Sequence, residues 1–532
     1  MSLGRALWAS RANLDVAWRI LRRGACDGCG LSSNGWRDWP LPGAHRCPGR
    51  LARLRLHTQP ALDLARLREV EPLRGLTARE LSELGRVPAP LLRRAGERGF
   101  RRVTWGEALE LAAEGLQAAD PQRVALLADP RGATLEDRFV AQKLVRLLGS
   151  PHVASPGRGV GDAPGPGGLP GRAVGDAGGV VPQLRAVGEV LGVEAPTVPA
   201  AGWLEADLLL VAGEHVGLRH PAAARVVEHA QDGGTRVLRL GEAPYRPTPG
   251  GELAFLRGVA KTLLAKDGVD RAFVAAHTEG FEELSADLDA EDLDALVSAA
   301  GVTRSAVFEF AAELCRGKTA VFLCSGQSPA VVGALCTLGL LRGFFAHPGS
   351  GLVHLDSPGA LGNADLGYAA GLEGGLELDV LWALGGDPQL EDAALARVPL
   401  RIHTLTTLDR AALAEPADAV LLLPLRTRYE QRGGASVVTS DGRLIRSPWI
   451  PGRAPGEARS AWEVGVALAQ RLGIDGLGFR DAQAIRAALA EAVPACRGLA
   501  RLRPGGACLR SAPPLFAEGR FPTPNGRARL RL

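Results

Sequence analysis

The chain has no uncharged apolar run long enough to span a membrane. Met1–Ala25 contains several arginines and an aspartate, but no continuous apolar core of the kind a secretory signal needs. Nor does any block of lysine and arginine alternate with aromatics. These absences set three expectations: no membrane span, a cytoplasmic location and no nucleic-acid partner. The charge balance agrees, since 62 basic and 58 acidic residues leave only +4. Eight cysteines without an export signal argue for a reducing compartment and against a disulfide framework. At 532 residues, 46% hydrophobic and 23% charged, the composition is that of a globular protein with room for several domains.

What is present is concentrated between Leu378 and Pro451. Three apolar runs, at 378–384, 401–407 and 419–424, each end in a short polar loop, as buried parallel strands do. The first is followed by Gly385-Gly386-Asp387-Pro388, whose glycines allow a ligand close to the backbone. The third leads into Thr427-Arg428-Tyr429-Glu430-Gln431-Arg432-Gly433-Gly434. That position, beyond the carboxyl ends of strands, is where open α/β sheets bind ligands. The chemistry points to a nucleotide-like ligand at a sheet edge.

Earlier segments repeat the strand–loop–helix pattern. Strands are expected at 124–128, 207–212, 236–240 and 320–326. Thr104 and Glu107 form a capping box ahead of Ala108, Ala112 and Leu116 at helical spacing, and further helices are expected at 134–148 and 331–345. Cys26, Cys29 and Cys47 lie in a Gly/Pro/Trp-rich stretch that suits loops. Thiolates grouped on loops fit an iron–sulfur cluster or a zinc ion, or the three are ordinary thiols. Asp27, His45 or an external ligand could complete the set, with Arg50 as a basic neighbour. Cys315, Cys324 and Cys336 stand in apolar surroundings and are expected in the core.

The strings Thr427–Gly434, Ser447-Pro448-Trp449-Ile450-Pro451-Gly452 and Gly456-Glu457-Ala458-Arg459 together resemble the molybdopterin oxidoreductases, in particular formate dehydrogenase-like alpha subunits of the acid-resistance type. The helix start at 100–109, Gln142–Arg146, Gly213 with His220-Pro221, 273–281 and 347–352 resemble the same family. The resemblance implies an α/β fold of two interleaved doubly wound nucleotide-binding domains after a small cysteine-bearing region. Residues 1–62 would form that region, 63–150 with 346–475 a discontinuous molybdopterin-binding domain, 151–345 an inserted α/β domain, and 476–532 a C-terminal helix and tail. The family's C-terminal barrel is expected to be absent, because Phe521–Leu530 is similar to the string that precedes it.

The resemblance also implies a molybdopterin guanine dinucleotide carrying molybdenum or tungsten. Gly213, His220, Gly326, Gly385, Gly386, Asp387, Arg428, Glu430, Gly433 and Gly434 would contact it. A [4Fe–4S] cluster is implied at Cys26, Cys29 and Cys47, although the family usually supplies four cysteines. The stretch 150–182 has no cysteine where relatives carry the metal ligand; Asp176 stands near that position, with Ser155 and Asp162 as other side-chain oxygens. Further departures are His215-Val216 for an Asn-Pro pair, Leu361 for a glutamine and Leu405 for an aspartate. Two functions follow as expectations. One is an oxidoreductase subunit performing two-electron chemistry on a small, formate-like substrate with an electron-transfer or completing subunit. The other is a catalytically silent relative acting as a structural or regulatory subunit.

Overall fold

A computed structural model describes residues 4, 8, 10–37, 39–45, 47–156, 180–213, 216–452, 454–510 and 516–532. In chain order the strands are β1 (Leu91–Arg94), β2 (Arg101–Arg102), β3 (Val124–Ala128), β4 (His152–Ala154), β5 (Leu208–Ala212), β6 (Arg236–Leu240), β7 (Thr278–Glu279), β8 (Ala320–Cys324), β9 (Gly351–His354), β10 (Val380–Leu384), β11 (Leu400–Leu405), β12 (Ala419–Pro424), β13 (Ala435–Val438), β14 (Arg443–Ser447), β15 (Ala507–Leu509) and β16 (Ala528–Arg529). Two sheets carry the fold. The first runs β2–β1–β12–β11–β10–β3–β4, parallel from β12 to β4, with β1 and β2 antiparallel at one edge. The second is the all-parallel sheet β6–β5–β8–β9.

Each central strand is apolar on both sides, as expected when helices cover both faces of a parallel sheet. Along β3, β10, β11 and β12, Leu126, Trp382, Ile402 and Leu421 point into the largest core cluster, together with residues of helices Trp105–Ala118, Leu135–Leu147 and Ala461–Arg471. Their neighbours Leu127, Leu381 and Leu422 point the other way, into separate clusters. The second sheet divides likewise, with Leu210 and Phe322 on one side and Leu209 and Leu323 on the other. The α/β class read from the sequence is the class observed.

The first sheet takes its strands from 91–154 and 380–424, and the second from 208–354. That composition supports the division into a discontinuous domain and an inserted one, which we retain as a proposal. Two short sheets, β13–β14–β15 and β7–β16, complete the strand set among the described residues. Among those residues no single helix is long and apolar enough to cross a membrane.

Helix Leu135–Leu147 joins the parts. Thr134 and Asp137 form its capping box, which is worth about 1 kcal/mol. Its first turn is charged and fully buried, so each group must find a partner. Glu136 accepts from the Ser436 amide and hydroxyl and from Arg486 at 2.7 Å. Asp137 accepts from the Trp462 amide and the Gln431 side chain. Arg138 donates to Gly359 O and to the Asn363 amide oxygen. One turn thus ties β13, helix Ala461–Arg471, helix Ala482–Ala492 and the start of helix Ala360–Asp365 together. Cys324 and Cys336 are buried as expected, but Cys315 is exposed, since it ends its helix at the surface.

Candidate functional site

Three chain segments meet beyond the carboxyl ends of the two sheets. The 129–133 loop follows β3, and the 354–357 and 213–221 segments follow β9 and β5. The cysteine-bearing loop lies against them. A Cβ on Gly30 would sit 2.4 Å from Asp356 O, and one on Gly49 would sit 3.7 Å from Pro221. Ser440 N also donates to Gly30 O at 2.8 Å.

Charged groups fill the meeting point. Asp27 lies 3.0 Å from an Arg53 nitrogen and 2.9 Å from His57 Nε2. Burial pushes the Asp27 carboxyl up, but Arg53 and His57 outweigh it and hold it well below the usual carboxylate range. Asp129 accepts from the Arg131 amide at 2.8 Å, and Arg428 donates to Arg131 O at 2.9 Å. Burial and then Arg53 lower the Arg131 guanidinium, while Asp129, Asp27 and Asp356 support it. From the second sheet, His220 Nε2 lies 3.0 Å from Ser325 Oγ. Burial, then His354 and Arg219, take His220 down to about 3, so its ring is neutral. Burial likewise lowers His354.

Many of these buried atoms have no protein partner. Nε of Arg53 and of Arg131, Nδ1 of His57 and of His220, and both ring nitrogens of His354 are all unsatisfied. A buried polar atom left unpaired costs roughly 1–3 kcal/mol, and native proteins rarely leave several in one place. Such a set, two guanidinium and four imidazole nitrogens, suits a polar ligand rich in hydrogen-bonding groups.

The comparisons agree with this geometry. Residues 86–245 match the family model "Molybdopterin oxidoreductase". The chain is 24% identical to the alpha subunit of F420-dependent formate dehydrogenase 2 from Methanococcus maripaludis, covering 79% of this chain and 67% of that one. It is 25% identical to formate dehydrogenase H of Escherichia coli over 50% of this chain and 38% of that one. The chain is a relative of the molybdopterin oxidoreductases. Its fold is shared with acetylene hydratase from Pelobacter acetylenicus, with a TM-score of 0.66 at 15% identity over 96% of this chain and 77% of that one.

Within this molybdopterin oxidoreductase relative, the residues singled out in the sequence separate into two groups. Arg428 and His220 lie at the convergent site, and Gly326 (φ +65°) stands 3.7 Å, measured from a built Cβ, from Arg219 Nη1. Gly213 packs on the turn after β8, where a Cβ would come within 2.2 Å of Ser325 O. The others have internal work. Gly385 and Gly386 pack against 129–133, so their missing side chains admit the Gly132–Ala133 backbone and the Asp129 side chain rather than a ligand. The Asp387 carboxyl accepts from Gln389 N and is raised by burial. Glu430 is bonded to Arg86 and to Thr427. Gly433 lies against Ala482, and Gly434 against Ser447 O. Asp162, Asp176 and His215 lie outside the described residues.

The thiols of Cys26, Cys29 and Cys47 are buried, and burial pushes Cys26 to about 11 and Cys29 to about 12. These values belong to the metal-free chain, since a coordinating metal displaces the thiol proton. Among the described residues no three His, Cys, Asp or Glu side chains are placed to hold a metal ion. The expected helpers are also committed. Asp27 belongs to Arg53 and His57, and Arg50 donates to Ile20 O, Leu21 O, Gly24 O and Gly35 O. Arg50 thus closes the end of helix Leu14–Arg23, and its charge also acts on the Cys26 and Cys47 thiols, as a basic neighbour would. His45 Nδ1 is held by Ser33, with Nε2 unpartnered. The donor set for an iron–sulfur cluster is thus incomplete in this conformation.

Sequence reasoning missed Arg53, Arg131, His354 and Asp356. None belongs to a string with a spacing signal; only folding brings them together.

Proposed function

We propose that this protein is a formate dehydrogenase-like oxidoreductase subunit that binds a molybdopterin guanine dinucleotide between its two sheets. The single observation carrying the reading is the convergence of Arg53, Arg131, Arg428, His220 and His354, several of their nitrogens unpaired, at the carboxyl ends of both sheets. The fit is chemical. Guanidinium groups donate to phosphate or pterin oxygens, and neutral imidazoles donate or accept beside them. When bound, that group would supply the electron pair exchanged with a small substrate. Arg131 and Arg428 would bind and orient it, the Asp27–Arg53–His57 set would hold their positions, and neutral His354 could take or give a proton. Cys26, Cys29 and Cys47 are the residues to which an iron–sulfur cluster would be assigned, with a further donor still needed. A partner subunit belongs to this reading, because the relatives are named as alpha subunits.

A second reading, a silent structural or regulatory subunit, is favoured by one observation. Glu430, Gly385, Gly386, Gly433 and Gly434 are all explained by internal contacts, without a cofactor. Elemental analysis of the chain purified anaerobically from its native host separates the two. Near-stoichiometric molybdenum or tungsten, lost several-fold in Arg131→Met with an unchanged circular dichroism spectrum, is the expected result. A well-folded chain with neither metal would sink the cofactor reading and leave the silent subunit.

A further inference from the structure

Four of the six exposed large hydrophobic side chains among the described residues are Trp8 (71% exposed), Leu14 (46%), Trp18 (45%) and Trp449 (48%). Three of them fall within eleven residues of sequence. Leu14 and Trp18 are one helical turn apart on Leu14–Arg23, where i and i+4 lie on the same side. Trp18 meets Trp36 edge to face, with ring centroids 5.0 Å apart. Trp449 precedes Ile450, which shares a core cluster with Val16 of the same helix, and a Cβ on Gly452 would lie 3.5 Å from Val16. The surroundings are basic. In sequence, residues 1–58 contain ten arginines, three aspartates and no lysine or glutamate, although Arg50 and Arg53 are held inside by backbone carbonyls and by Asp27. Arg22 and Arg23 are exposed, with no carboxylate partner among the described residues. Asp15 is taken by Arg19 at 2.9 Å.

We propose that the exposed side of helix Leu14–Arg23, bearing Leu14 and Trp18 and edged by Arg22 and Arg23, is the docking surface for an acidic protein subunit. Tryptophan and arginine are the residue types that dominate interface energetics. Uncompensated positive charge around an apolar centre selects and steers a partner of opposite sign. A second copy of this chain is disfavoured, because an isologous contact would set this basic face against itself. A lipid surface is disfavoured too. The apolar side of the helix, Val16, Ala17, Ile20 and Leu21, is already buried against Leu51, Leu54 and Tyr429, leaving too little to enter a bilayer. The surface adjoins the cysteine loop, since Arg50 and Gly24 close this helix immediately before Cys26. The proposal does not depend on a bound cofactor.

The test places a photo-crosslinking residue in the full chain, Leu14→p-benzoylphenylalanine, expressed in the native host. The expected adduct joins the chain to a distinct acidic protein. The dissociation constant of that purified protein should rise at least tenfold with Trp18→Ser, with the far-ultraviolet circular dichroism spectrum retained although the packing on Trp36 is lost. Arg22→Glu with Arg23→Glu should weaken binding similarly, with recovery when carboxylates on the partner are exchanged for lysine. Adducts only between copies of this chain overturn the proposal, as does the absence of any adduct. So does Trp18-dependent retention on phosphatidylglycerol–phosphatidylcholine vesicles, or partner binding indifferent to both sets of substitutions.

Discussion

The Glu430 carboxylate accepts from two Arg86 nitrogens and from the Thr427 amide and hydroxyl, and both charged side chains are buried. Removing one partner of such a pair leaves the other charge stranded in low dielectric, at a cost of about 3–5 kcal/mol. Glu430→Ala should therefore lower the urea midpoint by that equivalent, and Glu430→Leu combined with Arg86→Met should recover most of it. A midpoint unmoved by Glu430→Ala would mean that Arg86 finds another partner. The thiols offer a second test at this scale. With Cys26 near 11 and Cys29 near 12, almost no thiolate exists at pH 8, and both are buried, whereas Cys315 is exposed. In the metal-free native chain, iodoacetamide at pH 8 should label Cys315 well before Cys26 and Cys29, all three reacting alike in guanidinium; early labelling of Cys26 would contradict its burial.

Among the elements, the contact between the 129–133 and 385–387 loops shows how two strand ends are brought into register. Asp129 N donates to Leu384 O at 2.8 Å, and a Cβ on Gly132 would lie 1.7 Å from Gly385 O. No side chain fits there, so Gly132→Ala must push the loops apart. Overpacking of this kind costs about 1–3 kcal/mol. The expected outcome is a lower melting temperature together with loss of cofactor binding, since Arg131 sits on the displaced loop; an unchanged melt would show that the loops part freely. The buried strands around this contact were legible in the chain itself. Residues 124–128, 236–240 and 419–424 are strands as expected, and 207–212, 320–326, 378–384 and 401–407 differ only at their ends. Continuous apolar runs with β-branched residues have few alternatives. β9 and the β13–β14 hairpin were not read, being short and lying among glycine-rich turns. The site was less legible still. Arg53, Arg131 and His354 come from three distant segments, and no spacing in a linear chain encodes a convergence of that kind.

Over the whole molecule, buried neutral histidines, His354 among them, make stability depend on pH. Burial lowers His45, His220 and His403 to about 3, with Arg50 and Arg443 assisting at His45 and Arg401 at His403. In the unfolded chain they would titrate near 6.5. Between about 3 and 6.5 the unfolded state therefore binds more protons, so stability rises with pH and is lost on acidification. The carboxyls of Asp387 and Asp409, raised by burial, oppose this trend, and Asp27, held low, reinforces it. Denaturant midpoints should fall from pH 7 to pH 5, and His403→Gln should flatten that fall; an equal slope in the variant would place the pH dependence elsewhere.

The first sheet has a consequence for how the protein is made. β3 and β4 leave the ribosome long before β10, the other neighbour of β3 in the sheet, which begins at residue 380. At roughly 5–20 residues per second, the intervening synthesis takes on the order of ten to fifty seconds. During that interval the apolar β3 has an unpaired edge, while β5, β6, β8 and β9 have all emerged and can pair with one another. The nascent chain therefore has a period in which one half of the molecule can be finished while the other still presents an unpaired apolar strand edge, the kind of surface prone to aggregation.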